Sequence, residues 1–255
     1  MSDPKIVKLL DESSNRSSEL PLISGTLGPA CIDIGTLYKD TGHFTYDPGY
    51  GSTASTKSAI TYIDGDQGVL LYRGYPIEQL AEKSSFLEVA YLLLNGELPE
   101  ADEFTAFEHD VSHHTMMHEA QKNFFQGFHH DAHPMAMLAA AVASLSAFYH
   151  DYLDGENPVD RKMAAIRLIA KMPTIAAACF RYSIGWPVRY PRNKLEYGTR
   201  FLHMMFEVPS EPLQMSPVAA KALDLLFILH ADHEQNASTS TVRLVGSTGA
   251  NPYAS

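Results

Sequence analysis

The sequence predicts a mainly α-helical protein with a small β-rich segment at its N-terminus. Three observations lead to this fold class. β-Branched runs alternate with turn residues in the first part of the chain, apolar residues then recur at helical spacing, and Pro or Gly separates the later segments. We therefore divide the chain into a β-rich segment over residues 1–75 and a helical domain over residues 76–255.

The first 75 residues contain four candidate strands. Residues 5–10 and 19–23 flank a polar turn. Residues 59–63 and 69–73 flank a connection rich in Asp and Gly, which is typical of a β-hairpin. Residues 41–58 are rich in Gly, Ser and Thr, so we expect an irregular loop there.

The helices are predicted from their start and stop signals. Ser85 and Glu88 form the pattern of a capping box, in which each side chain binds the other residue's backbone amide. Ser216 followed by Pro217 is a second clear start, because proline suits the first helical position. The predicted helices cover residues 76–83, 85–95, 101–126, 134–153, 158–171, 174–184, 194–207 and 217–233.

The composition limits the classes of partner. The chain has 255 residues and a formal net charge of −11, and such a charge repels the phosphate backbones of nucleic acids and anionic membranes. Cys31 and Cys179 are too few for a disulfide framework. The longest apolar stretch, residues 134–147, is too short to cross a bilayer, and no signal segment is recognisable. We therefore expect a cytoplasmic protein with no nucleic-acid or membrane partner.

Twelve histidines raise the question of a metal site. His114 and His118 are four residues apart, which places both on one face of the predicted helix, but the HExxH order of zinc hydrolases is absent. His129, His130 and His133 cluster where a helix is predicted to begin, without a cysteine or a regular carboxylate partner. We interpret these histidines as helix-surface and capping residues and predict no metal.

The most informative stretch follows the apolar residues 225–229. The chain has no P-loop, no glycine fingerprint for dinucleotides and no GxSxG elbow, so those chemistries lack sequence support. A dense polar group at the end of a buried helix is costly unless its members bind one another or a ligand. From residue types alone, a ligand site and a water-exposed helix cap both stay open. The group comprises His230, Asp232, His233, Glu234, Gln235 and Asn236.

Eight strings of residues carry a family resemblance: FTYDPG at 44–49, STAS at 52–55, IDGD at 63–66, LYRGYPI at 71–77, LLLNG at 92–96, DAHPM at 131–135, KMPT at 171–174 and LHADHEQNASTSTVR at 229–243. By these strings the chain resembles the N-terminal portion of citrate synthase, in the branch typical of Gram-negative bacteria. The resemblance implies the multi-helical large domain of that family. It also implies condensation of oxaloacetate with acetyl-CoA to citrate and CoA, without a cofactor.

The resemblance further implies that the family's two catalytic histidines and its catalytic aspartate come after Ser255. We therefore expect no catalytic residue within this chain and no activity of the chain alone. The alternative function is a non-catalytic fragment that acts in oligomer assembly or in binding NADH. Within the enzyme class, 2-methylcitrate synthase is a close relative that uses propionyl-CoA.

The family's motif assigns roles at the polar group. His233 matches the histidine that hydrogen-bonds oxaloacetate, and Asn236 lies beside it. His230 and Asp232 are expected to support these residues rather than to contact the ligand. The chemistry is consistent with this, since an imidazole is suited to a dicarboxylate.

The Gram-negative branch often forms hexamers that NADH inhibits at a site away from catalysis, so we expect a homo-oligomer, either dimer or hexamer. Arg167 and Lys171 are four residues apart and could present both charges to phosphates, although a solvated basic face is the alternative. His113 and Ser210 stand where regulated members carry arginine and cysteine. The residues that match the NADH site are His114, Thr115, Met116, Tyr149, Arg167 and Lys171.

Overall fold

The computed structural model describes residues 5–255, which separate into two compact units. The first unit ends at Ala59 and the second spans Ile60–Ser255. The described part of the first unit forms an antiparallel sheet of three strands in sequence order, followed by one short helix. These elements are β1 (Ile6–Asp11), β2 (Arg16–Ile23), β3 (Cys31–Ile32) and α1 (Leu37–Thr41).

The first unit confirms the two strands that the sequence predicted there. The Asp11 carboxylate accepts a hydrogen bond from the Ser13 amide at 2.9 Å, which shapes the turn between β1 and β2. The Ser18 hydroxyl donates to Asp40 at 2.6 Å and so fixes α1 against β2. The sequence pattern indicated neither β3 nor α1. Residues 42–60 form neither helix nor strand, in agreement with the irregular loop predicted over residues 41–58.

The second unit begins with the predicted hairpin. Strands β4 (Thr61–Asp64) and β5 (Val69–Tyr72) pair antiparallel, and β6 (Tyr75–Pro76) adds to β5. The Asp64 carboxylate accepts from the amides of Asp66 and Gln67, at 3.1 and 2.9 Å, which closes the turn. This sheet belongs to the same compact unit as the helices, so the unit boundary lies before residue 75, where the β-rich segment was expected to end.

Nine helices follow within residues 77–246, all of which are described, so the chain is mainly helical as predicted. The two capping predictions are confirmed: Ser85 and Glu88 form a capping box, and the Ser216 side chain accepts from the Ala219 amide. The helices are α2 (Ile77–Lys83), α3 (Phe86–Asn95), α4 (Ala101–His113), α5 (Gln121–Phe125), α6 (Pro134–Phe148), α7 (Pro158–Ser183), α8 (Tyr197–Phe206), α9 (Pro217–Leu229) and α10 (Ala237–Gly246).

Several predicted helix bounds are wrong. The single helix expected over residues 101–126 is two helices, α4 and α5, with an irregular segment between them. The buried Lys171 ammonium donates hydrogen bonds to the carbonyls of His114 and Met116, each at 2.6 Å. These two carbonyls therefore bind a side chain and not the backbone amides of a helix. Helix α6 ends at Phe148 rather than near residue 153, and helix α10 was not predicted.

Pro173 lies inside α7 and does not divide it, so the two helices expected over residues 158–171 and 174–184 are one. A proline inside a helix lacks the amide that would bind the carbonyl four residues earlier. Here that carbonyl belongs to Ile169, and it accepts a hydrogen bond from the Tyr197 hydroxyl of α8 at 2.8 Å. A neighbouring helix therefore supplies the donor that proline removes.

Helix α7 occupies the centre of the second unit. Its buried residues contribute to two hydrophobic clusters, one with Met137 and Leu145 of α6 and one with Leu87 of α3 and Phe107 of α4. By length and composition alone, α7 is the described helix that could cross a membrane. Most of it is buried against other helices of this protein, which is also the condition of a core helix in a globular fold.

We predict that Tyr197→Phe lowers the free energy of unfolding by about 1–2 kcal/mol, because the Ile169 carbonyl loses its donor. In the Pro173→Ala background the loss should fall below about 0.5 kcal/mol, since the new amide can bind that carbonyl. Urea denaturation of the four proteins measures both values. Tyr182→Phe, whose hydroxyl donates to the Phe128 carbonyl at 2.7 Å, is the control and should cost the same in both backgrounds. An equal cost of Tyr197→Phe in both backgrounds would contradict the compensation.

Candidate functional site

The polar group after α9 forms a tight turn rather than the end of a helix. Helix α9 ends at Leu229, so the helix predicted over residues 217–233 is four residues too long. His230 has non-helical backbone angles (φ −110°, ψ 11°), and Glu234 has a positive φ of 60°. Residues 230–236 therefore connect α9 to α10, and we call them the tip.

The tip is hydrogen-bonded to the β4–β5 hairpin. The Tyr72 hydroxyl accepts from the Asp232 amide at 3.2 Å and lies 3.0 Å from the Asp232 carbonyl oxygen, to which it can donate. The Asp232 carboxylate accepts from the Thr61 hydroxyl, and the Glu234 carboxylate accepts from the Ile63 amide at 2.7 Å. Because Tyr72 is fully buried, these bonds fix the backbone of the tip to the core.

The two histidines of the tip are exposed, and their ring centroids are 5.9 Å apart. His230 places Nδ1 2.8 Å from the Leu226 carbonyl oxygen, so Nδ1 carries the proton and Nε2 is left as an acceptor. In the part of the chain that the structure describes, the His233 imidazole makes no hydrogen bond. His233 therefore has both ring nitrogens available to a ligand.

Asn236 is the N-cap of α10. Its side-chain oxygen accepts from the Thr239 amide at 2.8 Å, and the amino group of the same side chain can still donate. An N-cap defines where the first free amides of a helix point, and these amides carry a partial positive charge. The sequence pattern indicated neither α10 nor this capping role.

The tip can therefore bind an anionic group. An exposed imidazole, a carboxamide donor and the start of a ten-residue helix lie within one short segment. The carboxamide N–H and the free amides of the helix start favour an anion, and an imidazole N–H can donate to the same group. The carboxylates of Asp232 and Glu234 are occupied by Thr61 and Ile63.

Two cavities of the second unit lie away from the tip. One, of about 710 Å³, is lined by Ser85, Glu88, Tyr197 and Asp224 among others. The other, of about 640 Å³, lies beside the start of α7 and the end of α10. Neither His233 nor Asn236 lines them. A third cavity, of about 330 Å³, is lined by Ala237, Ser238 and Thr241 at the start of α10 and so adjoins the tip.

The six residues proposed for NADH are brought together. Arg167 and Lys171 share one face of α7, as their spacing predicted, but both are buried rather than solvated. The Tyr149 ring lies 5.0 Å from the Arg167 guanidinium carbon and 4.7 Å from the Lys171 ammonium. Burial, and then the neighbouring charge of Arg167, lower the pKa of Lys171 to about 8.

Residues 114–116 form the other side of this cluster. Burial, and then the charges of Arg167 and Lys171, lower the pKa of His114, so its imidazole is neutral at neutral pH. The buried Thr115 hydroxyl is 2.9 Å from the Asn193 side-chain oxygen. The Met116 side chain is exposed, while its carbonyl binds Lys171. Thr115 and Lys171 are thus engaged within the protein.

Arg167 has a partner, Asp151, that the sequence pattern did not indicate. Its guanidinium binds both oxygens of Asp151, with nitrogen–oxygen distances of 3.0 and 2.9 Å. Hydrogen bonding from Arg167 lowers the pKa of the Asp151 carboxyl. Asp151 lies in an irregular segment, where no periodic pattern could have indicated it; its nearness to Tyr149 in the sequence was the available signal.

The expectation about paired histidines is partly wrong. Helix α4 ends at His113, so His114 and His118 do not share a helix face. His133 is the N-cap of α6 and accepts from the Met135 amide at 3.2 Å, as expected for a capping residue. Within residues 5–255, no group of three or more His, Cys, Asp or Glu residues has a geometry that could hold a metal ion.

Comparisons with known proteins decide the family. The family model described as "Citrate synthase, C-terminal domain" matches residues 49–255. The chain belongs to the citrate synthase family. The crystal structure of citrate synthase from Pyrobaculum aerophilum is 34% identical with a TM-score of 0.73, and the match covers 84% of this chain and 55% of that one. Citrate synthase from Thermotoga maritima MSB8 is 30% identical with a TM-score of 0.68, covering 82% and 53%.

These matches confirm the predicted fold class, a mainly helical citrate synthase fold with a small β segment. The chain spans about half the length of the solved citrate synthases that it matches. The residues matched by the family model include the tip and the cluster around Arg167 and Lys171 of α7.

We predict that Lys171 gives the stability of the protein a specific pH dependence. Because its pKa is about 8 in the folded protein and 10.5 in the unfolded chain, the unfolded chain holds more protons between these values. The free energy of unfolding should therefore rise with pH in this window, relative to Lys171→Met, by roughly 1–3 kcal/mol. Urea denaturation at pH 7.5 and 10 measures the difference. Lys162→Met, at an exposed lysine of the same helix, is the control; identical pH slopes for all three proteins would contradict this role.

Proposed function

We propose that this chain belongs to an enzyme that condenses oxaloacetate with acetyl-CoA to give citrate and CoA. Family membership supports the reaction class. The observation that carries the proposal is the exposed His233 imidazole, which is without a hydrogen bond among the described residues and is presented on a tip fixed by Tyr72. Such a group binds an anionic substrate without first leaving a partner in the protein.

The residues of the tip have distinct roles in this proposal. His233 donates a hydrogen bond to oxaloacetate, and the amino group of Asn236 donates a second one. Asp232 and His230 keep the turn in place through Tyr72 and Leu226. Since both donors come from a fixed segment, little conformational entropy is lost when the dicarboxylate binds.

Because no activity is expected of this chain alone, a thiol-detecting assay of CoA release by the full-length enzyme that contains it tests the reaction. His233→Ala should raise KM for oxaloacetate about tenfold or more, which is typical for loss of one hydrogen bond to a charged group. His129→Ala, at an exposed histidine of another segment, is the control and should leave KM unchanged. Absence of CoA release, or an unchanged KM in His233→Ala, would contradict the proposal. Comparing acetyl-CoA with propionyl-CoA separates citrate synthase from 2-methylcitrate synthase.

A second candidate role is effector binding. It is favoured by the convergence of His114, Tyr149, Arg167 and Lys171 on one buried cationic cluster, apart from the tip. This arrangement supports NADH as an allosteric inhibitor, and with it membership of the hexameric Gram-negative branch. A chain without catalysis that still binds NADH or assembles into oligomers would have this role alone.

NADH titration tests this role. We expect NADH to inhibit CoA release at low salt, and Arg167→Gln to weaken the inhibition about tenfold or more because a charged phosphate partner is lost. Lys162→Gln removes an exposed charge from the same helix and should change it about twofold at most. If NADH changes neither activity nor protein fluorescence, the effector site is wrong.

The proposal extends to the setting of the enzyme. We place it in the cytoplasm as a homo-oligomer, with oxaloacetate and acetyl-CoA as its small-molecule partners and no bound cofactor. Cys31 and Cys179 are both free thiols, which supports a reducing compartment. Sedimentation of the purified protein distinguishes a dimer from a hexamer.

A further inference from the structure

The cationic cluster on α7 has more positive than negative charge. Arg167 and Lys171 are both buried, and the Tyr149 ring lies against both. The carboxylate that contacts Arg167 is Asp151, while Lys171 donates to carbonyl oxygens, which are dipoles rather than charges. A buried excess of positive charge favours an anion.

Arg167 and Asp151 differ in their access to solvent. The Arg167 side chain is 8% exposed and that of Asp151 is 57% exposed. The carboxylate therefore covers the guanidinium from the solvent side. Because Asp151 is already largely hydrated, leaving Arg167 for water costs it little desolvation, whereas Arg167 cannot leave its buried position.

The geometry at Arg167 also suits a phosphate. The guanidinium holds Asp151 through two parallel hydrogen bonds, and the same fork matches two oxygens of a phosphate group. The rings of Tyr149 and Tyr152 each lie 5.0 Å from the guanidinium carbon. These rings restrict the guanidinium to the orientation in which it faces Asp151.

Two buried polar atoms lie beside this ion pair and make no other hydrogen bond among the described residues. They are Nε of Arg167 and the hydroxyl of Tyr253. The Tyr253 ring lies 6.5 Å from that of Tyr149, and Tyr253 is 2% exposed. The Tyr253 hydroxyl is hydrogen-bonded to the Arg167 guanidinium and, after the Asp151 hydrogen bond, raises its pKa, so Tyr253 helps to hold the guanidinium in place.

We propose that Asp151 occupies the anion position of this site and that a phosphate-bearing ligand binds by displacing it from Arg167. This inference rests on the proposed effector site and adds its regulation. Asp151 acts as an internal competitor: it stabilises the free protein and lowers the affinity for the ligand. The exchange keeps one anion on Arg167 in both states, so the buried cation is never left unpaired.

Isothermal titration calorimetry of the full chain with inorganic pyrophosphate, and separately with NADH, tests the displacement. Asp151→Asn should bind about tenfold more tightly than the wild type, because a neutral amide competes less well for Arg167 than a carboxylate does. Asp160→Asn is the matched control. It removes the same charge from the first turn of α7, where Asp160 accepts from the Asp154 amide, and should change the affinity about twofold at most.

Equal affinities of Asp151→Asn and Asp160→Asn would overturn the displacement, and so would undiminished binding by the double variant Asp151→Asn, Arg167→Ala. If the protein binds NADH but not pyrophosphate, the ligand is recognised as a whole dinucleotide. The proposal then still requires that Asp151→Asn bind NADH more tightly than the wild type. If neither pyrophosphate nor NADH binds, both the displacement and the proposed effector site are wrong. CoA release is measured separately, so failure of the citrate synthase proposal is distinguishable from either result.

A second measurement does not depend on the folding of a variant. In wild-type protein, the side-chain carboxyl ¹³C signal of Asp151 is followed through a pH titration with and without saturating pyrophosphate. Displacement predicts that the ligand raises the pKa of Asp151 towards its ordinary value, because Arg167 no longer stabilises the carboxylate. An unchanged pKa under saturation would overturn the proposal.

Discussion

The second unit depends on the cations that α7 carries into the core. Lys171 binds two carbonyl oxygens of the segment between α4 and α5, and the fully buried Arg181 binds carbonyls at the end of α8 and in the segment between α7 and α8. Burying a charge is costly unless several dipoles compensate it, and here the compensating dipoles belong to irregular segments and to the last turn of α8. Each cation is thereby solvated and each segment fixed. The carbonyls bound by Arg181 are those of Pro187, Met204, Met205 and Glu207.

This arrangement explains which parts of the fold were predictable. The capping box at Ser85 and the N-cap at Ser216 were predicted correctly, because both ends of each interaction lie within one turn of chain. The continuity of α7 through Pro173 was not predictable, since it depends on the Tyr197 hydroxyl from a distant part of the sequence. The break after α4 likewise depends on Lys171, far along the chain.

The candidate site shows the same division. Helical spacing correctly placed Arg167 and Lys171 on one face, but not their burial, which follows from packing around α7. The family motif indicated His233 and Asn236, and their roles as ligands stay predictions. Apolar periodicity placed the end of α9 too late, because it carries no information about the Tyr72 hydroxyl that binds the turn. A local pattern of residue types does not predict polar contacts between residues that are far apart in the sequence.

The two sites differ in how the free protein prepares them. At the tip, the backbone is fixed while the His233 ring has no hydrogen bond among the described residues, so a bound carboxylate adds contacts without breaking any. At α7, the Arg167 fork already holds Asp151, so a ligand must exchange one anion for another. The net gain of an exchange is the difference between two similar interactions and is therefore small. A substrate site benefits from the first arrangement, whereas a site that must respond to changing ligand concentration benefits from the second.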